Sequence, residues 1–118
     1  MNSLLIIGQT FPEPTTTAAG VRMLQLIEMF TGQGYHITFA SSATSSDKSV
    51  DLQTLGVATE QIAINDASFD VFVTQLNPSL VLFDRFITEE QFAWRVSQSC
   101  PKALKILDTE DLHFLRKA

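Results

Sequence analysis

A three-layer α/β domain, with a parallel sheet between two helical layers, is the architecture that this chain of 118 residues predicts. Three observations carry the prediction. Short continuous apolar runs recur, as at Ser3 to Ile7 and Leu80 to Phe83, and such runs suit strands covered on both faces. Segments with helical spacing separate them. The punctuation fits too: Gly32 with Gly34, and Asn77 with Pro78, are helix stops. Strands alternating with helices imply right-handed crossovers, and the expected sheet order is 3-2-1-4-5.

Each element has its own signal. Ser3 to Ile7 reads as the first strand, followed by a loop from Gly8 to about Thr17 that carries Pro12 and Pro14. A helix is expected from Ala18 to Gln33, because Met23, Leu24, Ile27 and Phe30 recur at helical spacing opposite Arg22, Gln25 and Glu28. His36 to Ser41 is the second strand, with His36 at the surface, and a Ser/Thr-rich loop follows through Ser49. A helical turn over Leu52 to Leu55 stops at Gly56, and a third strand is expected over Gln61 to Ile64. Asp66 then caps a helix from Ala67 to Leu76. Leu80 to Phe83 is the fourth strand. Thr88 and Gln91 have capping-box spacing and are expected to open a helix to Ser97, on which Phe92 and Trp94 are packing residues by default, with stacking on a sugar ring near the cleft as the alternative. Lys105 to Leu107 is the fifth strand, and a last helix is expected near Asp111. A doubly wound domain usually adds another strand, so the sequence reads as a truncated domain, numbered 1–118 here.

Composition narrows the function. A 45% apolar content over 118 residues supports one core and one domain. A net charge of −5 disfavours nucleic acid as a partner, because such a surface repels phosphates. The basic residues are uneven, with six of the eight at or beyond Arg85. Cys100 is the only cysteine, which fits a reducing, cytoplasmic setting and no disulfide framework. No histidine neighbours it in sequence, so a reactive nucleophile is disfavoured there. The apolar run Leu4 to Ile7 is too short for a signal peptide or a membrane span.

In an open parallel sheet, ligands bind beyond the carboxyl ends of the strands, where the strand order reverses. The loops after strands one, four and five are therefore the place to look. The first holds neither the three crowded glycines of a dinucleotide fingerprint nor the Gly-Lys-Ser/Thr of a P-loop. It leads into Gly20 and Arg22. A cation in the first turn of a helix opposes the helix dipole at a cost of roughly 0.3–1 kcal/mol. Arg22 therefore either completes an anion site with amides near Gly20 or pairs with Glu13 or another carboxylate. After strand four, Asp84 and Arg85 either pair with each other or grip a polar substrate, and Asp84 taken alone reads as a loop cap. After strand five, Asp108, Glu110 and Asp111 put three acids within four residues, more than one cap needs. They are candidates for holding sugar hydroxyls, for acting as a base or for binding a divalent ion. His113 is either a general base facing the cleft or a solvated helix residue.

The segment Ile6 to Ser41 resembles the opening of glycosyltransferase family 4 N-terminal domains, through Phe11-Pro12-Glu13-Pro14, Ala19-Gly20-Val21-Arg22 and Gly34-Tyr35-His36-Ile37-Thr38. Leu82 to Gln91 and Leu107 to His113 are similar to a bacterial subgroup of the same family, so the resemblance covers nearly the whole chain. It implies a Rossmann-like N-terminal half of a GT-B enzyme. That half is the acceptor side, facing a separate C-terminal domain that holds a nucleotide-sugar donor. Transfer would occur in the cleft between the two, commonly with retention and with neither metal nor cofactor. By the same resemblance Gly20, Arg22, Asp84, Arg85, Asp108 and Glu110 bind substrate, with His113 and Asp111 as candidate catalytic residues. The partners implied are a nucleotide-sugar donor and a sugar or glycolipid acceptor, with peripheral membrane contact by the parent enzyme. The sequence departs from the pattern in places. Ala19 stands where the family often has a second glycine, and Gln9 stands where inverting members place a histidine. A domain that lacks its partner half would transfer no sugar alone, and its exposed apolar surface would favour self-association. The competing expectation is a non-catalytic, flavodoxin-like interaction module. A phospho-receiver is disfavoured because Gly8-Gln9-Thr10 replaces the paired acids that follow strand one.

Overall fold

The computed structural model describes residues 2–8, 18–43, 52 and 55–108. The elements in chain order are β1 (Ser3–Gly8), α1 (Ala18–Gly32), β2 (His36–Ser41), β3 (Ala58–Gln61), α2 (Ala67–Leu76), β4 (Leu80–Asp84), α3 (Phe86–Ser99) and β5 (Leu104–Asp108). Among the described residues the strands form one five-stranded sheet in the order β3-β2-β1-β4-β5, and every neighbouring pair is parallel. That is the expected three-layer α/β, Rossmann-like order. The chain lays down β2 and β3 on one side of β1, then crosses back to place β4 and β5 on the other. The reversal falls between β1 and β4.

Strand alternation sorts the core into two layers. Leu4 and Ile6 of β1 face α1, where Met23 and Ile27, one helical turn apart, pack with Ile37, Phe39 and Leu82. Leu5 and Ile7 face the other layer, where Phe69 and Val73 of α2 meet Phe92 and Val96 of α3. Leu4 through Ile7 have no exposed surface. Each such side chain gains about 1.5–3 kcal/mol on burial, which is why a central strand can be apolar on both sides. The Phe69 and Phe92 rings lie 4.8 Å apart and join the two helices. Phe30 and Tyr35 meet edge to face at 5.3 Å where α1 hands over to β2.

Local chemistry explains several boundaries. Asp66 accepts a hydrogen bond from the Ser68 amide at 3.0 Å and caps α2. Asn77 closes that helix in the left-handed region at φ 49°, its amide donating to the Val73 carbonyl. Leu52 is helical and accepts from the amides of Leu55 and Val57, and Gly56 turns the chain at φ +82°. No helix among the described residues is long and apolar enough to cross a membrane.

Three expectations are corrected. The third strand is Ala58–Gln61 rather than Gln61 to Ile64. It is an edge strand whose exposed or half-buried residues pair with Thr38 to Ser41, while its apolar anchors, Val57 and Ile62, flank it. Ile64, which suggested the strand, is 42% exposed. Register with β2, not local apolarity, sets this element. The capping box at Thr88 and Gln91 does not form. The helix starts at Phe86 with Arg85 at the cap position and no side-chain cap, and it continues to Ser99. Thr88 lies inside the first turn, and its buried hydroxyl serves carbonyls instead. Trp94 is 47% exposed, whereas Phe92 is a core residue. The two differ by about 200° around the helix, so only one can face the sheet.

Candidate functional site at the carboxyl edge of the sheet

The register aligns one row of residues across the carboxyl edge. Gln61 pairs with Ser41, Ser41 with Gly8, and Asp84 with Asp108. Ile7 pairs with Phe83, so Gly8 and Asp84 stand level on either side of the strand-order reversal. Alternation places Ser41 and Asp84 on the α1 face, in step with Phe39 and Leu82. α1 approaches that same edge. Its last turn is three residues from the start of β2, and its 15 residues extend roughly 22 Å back along the sheet. Gly20 and Arg22, in its first two turns, therefore belong to the carboxyl end of the domain.

The backbones of Asp84 and Asp108 stand at the same level on adjacent strands, one strand spacing of about 4.8 Å apart. Asp84 is half-buried and, like Arg22 and Ser41, is engaged by neighbouring groups. Ser41 is fully buried, and its Oγ accepts from the Ala43 amide at 3.1 Å.

The turn from β4 into α3 is the sharpest feature of the edge. Only Arg85 separates strand from helix, and it has φ 81° and ψ 159°. That region costs a residue with a Cβ about 1–3 kcal/mol. The Thr88 hydroxyl lies 2.8 Å from the Asp84 carbonyl and 3.0 Å from the Arg85 carbonyl, and it holds the turn from within the helix.

Of the residues singled out in the sequence, Gly20, Arg22, Asp84, Arg85 and Asp108 thus fall at one end of the sheet. Glu110, Asp111 and His113 lie outside the described residues, as do Glu13 and the last expected helix. Sequence reasoning missed Ser41 and the part played by Thr88. A serine closing the apolar strand that follows α1 was a usable signal for Ser41. Thr88 gave the wrong signal, since its spacing to Gln91 imitated a cap. Among the described residues no group of three or more His, Cys, Asp or Glu could hold a metal ion.

The remaining reactive groups lie elsewhere. His36 is exposed at the amino end of β2. Cys100 is a buried free thiol at the end of α3, with Sγ donating to the Val73 carbonyl at 3.4 Å, and burial pushes its pKa up. A groove of about 540 Å³ lined by Asn77, Ser79, Cys100 and Lys102 opens at the amino end of β4 and β5, opposite the carboxyl row. No protein-family model matches this chain, and no curated protein matches it significantly.

Proposed function

We propose that this chain is the acceptor-side, N-terminal domain of a nucleotide-sugar-dependent glycosyltransferase of the GT-B class, acting in the cytoplasm with a donor-binding domain outside these 118 residues. The observation that carries the reading is the pairing of Asp84 with Asp108 at the carboxyl edge, beside the reversal of strand order. Ligands of open parallel sheets settle there, and paired acids suit the vicinal hydroxyls of a sugar. The resemblance of Ile6 to Ser41, Leu82 to Gln91 and Leu107 to His113 to bacterial family 4 glycosyltransferases gives the edge its substrate class. In this reading Asp84 and Asp108 hold the acceptor, Arg85 flanks it, and Gly20 with Arg22 faces the donor side. Asp111 and His113 are the candidates for proton transfer. Much of the rate in such a reaction comes from holding both reactants in geometry, so these residues alone bind acceptor and transfer nothing. The lone cysteine, kept as a thiol, fits a reducing cytoplasm.

The test is a titration of the 15N-labelled chain with neutral monosaccharides, methyl glycosides and UDP- and GDP-sugars, followed by NMR. Acceptor-type sugars are expected to shift the amides of Ser41, Asp84, Arg85 and Asp108 with millimolar affinity. Asp84→Asn should weaken that binding about tenfold, as for losing one charged hydrogen bond. Shifts confined to the groove at the amino end, or an Asp84→Asn protein that binds as well as wild type, would refute the assignment.

A further inference from the structure

We propose that the β4–α3 junction is a strained elbow latched by Thr88, and that the latch fixes where Asp84 and Arg85 stand at the carboxyl edge. Both sides of the junction are anchored. Upstream, Asp84 is tied into the sheet through its register with Asp108. Downstream, the helix begins at Phe86 and its inner face is committed to the core through Phe92 and Val96. One residue must make the entire change of direction, and it does so at positive φ.

A glycine would adopt this conformation without strain, because it has no Cβ to clash. The chain instead carries arginine, a long cationic side chain, at the start of a helix. Left alone, the turn would relax toward negative φ, rotating the peptide between Asp84 and Arg85. The Thr88 hydroxyl opposes that rotation, since its single proton is shared between the two carbonyls on either side of the strained residue. Thr88 is 1% exposed, so no water competes for its hydroxyl. Elsewhere in a helix a threonine bonding back to carbonyls three and four residues earlier is slightly unfavourable. Here the same bond ties down an end that has no side-chain cap. Thr88 and Arg85 are in this view positioning residues. Their importance for sugar binding rests on the function proposed above, whereas the strain and its latch are testable without any ligand.

The discriminating comparison is Arg85→Gly against Arg85→Ser. An ordinary helix cap ranks serine at or above glycine, whereas a strained position at positive φ reverses the order. Thermal unfolding is expected to give the glycine variant a Tm about 4 °C above that of the serine variant. A second arm needs no ranking. Three-bond amide–Hα couplings and residual dipolar couplings at residue 85 report its φ directly, and they should change in Thr88→Val but be retained in Thr88→Ser. A serine variant that melts at or above the glycine variant overturns the strain. Unchanged couplings at residue 85 in folded Thr88→Val overturn the latch. A latch that passes both tests in a chain that binds no sugar at this edge would count against the proposed function alone.

Discussion

Asp70 of α2 and Arg95 of α3 provide a quantitative test of how the two helices are held together. Arg95 Nη1 donates to Asp70 Oδ2 at 2.7 Å, with the arginine side chain 13% and the aspartate side chain 36% exposed. Unit charges about 4 Å apart attract by about 4 kcal/mol at an effective dielectric near 20. Desolvation and side-chain ordering cancel most of that, and the exposure of Asp70 admits further screening, which leaves a net coupling of about 1–1.5 kcal/mol. Asp70 Oδ1 and Arg95 Nε are buried without hydrogen bonds, so the pair depends on a single strong bond rather than a bidentate one. Asp70→Asn leaves a largely buried guanidinium uncompensated and should cost about 1.5–2 kcal/mol. Arg95→Met keeps the aliphatic stem but also loses the contact with the Trp94 ring, 4.4 Å away, and should cost about as much. Urea unfolding of wild type, both single variants and the double variant gives the coupling directly, provided the slopes agree. A coupling below about 0.3 kcal/mol would show that the pair is ornamental and that this account of the α2–α3 contact is wrong.

Two further predictions concern the same layer. Phe92→Ala removes a ring that is 1% exposed and tilted against Phe69, and it should destabilise the fold by about 3–5 kcal/mol in urea unfolding; a loss below about 1 kcal/mol would mean that the layer can collapse around the gap. The Cys100 thiol has a pKa raised by burial above its ordinary 9.0, so the folded state favours the protonated form. Its contribution to stability is therefore complete below the unfolded thiol pKa and is lost as pH rises through the folded value. Wild type should lose more stability than Cys100→Ala between pH 7 and pH 10, and iodoacetamide should label the native thiol far more slowly than the unfolded one. Equal pH slopes in the two proteins, or equally fast labelling, would contradict the buried placement.

Much of the fold was legible because the signals were local. β1 and β4 are apolar on both faces and could only be central strands. α2 was legible to the residue, since Asp66 and Asn77 supply both caps through short-range bonds. The edge strand β3 was not, because an exposed strand carries little apolar pattern and takes its position from its neighbour. The start of α3 was misread for a related reason. Threonine with glutamine three residues later imitates a cap, and only the burial of Thr88 against the end of β4 shows where its hydroxyl goes.

The candidate site divides in the same way. Sequence alone determined which residue types follow the central strands: Gly20, Asp84 and Asp108 are in the chain whatever its fold, and alternation with helices implied that they share an edge. Only the tertiary structure decided that Asp84 and Asp108 stand level on neighbouring strands, and that Arg85 makes the turn between them and α3 under strain. Register between strands brought together from distant parts of a chain is fixed by packing on both faces of the sheet at once. No single segment contains that information, because neither face exists until both helical layers are in place.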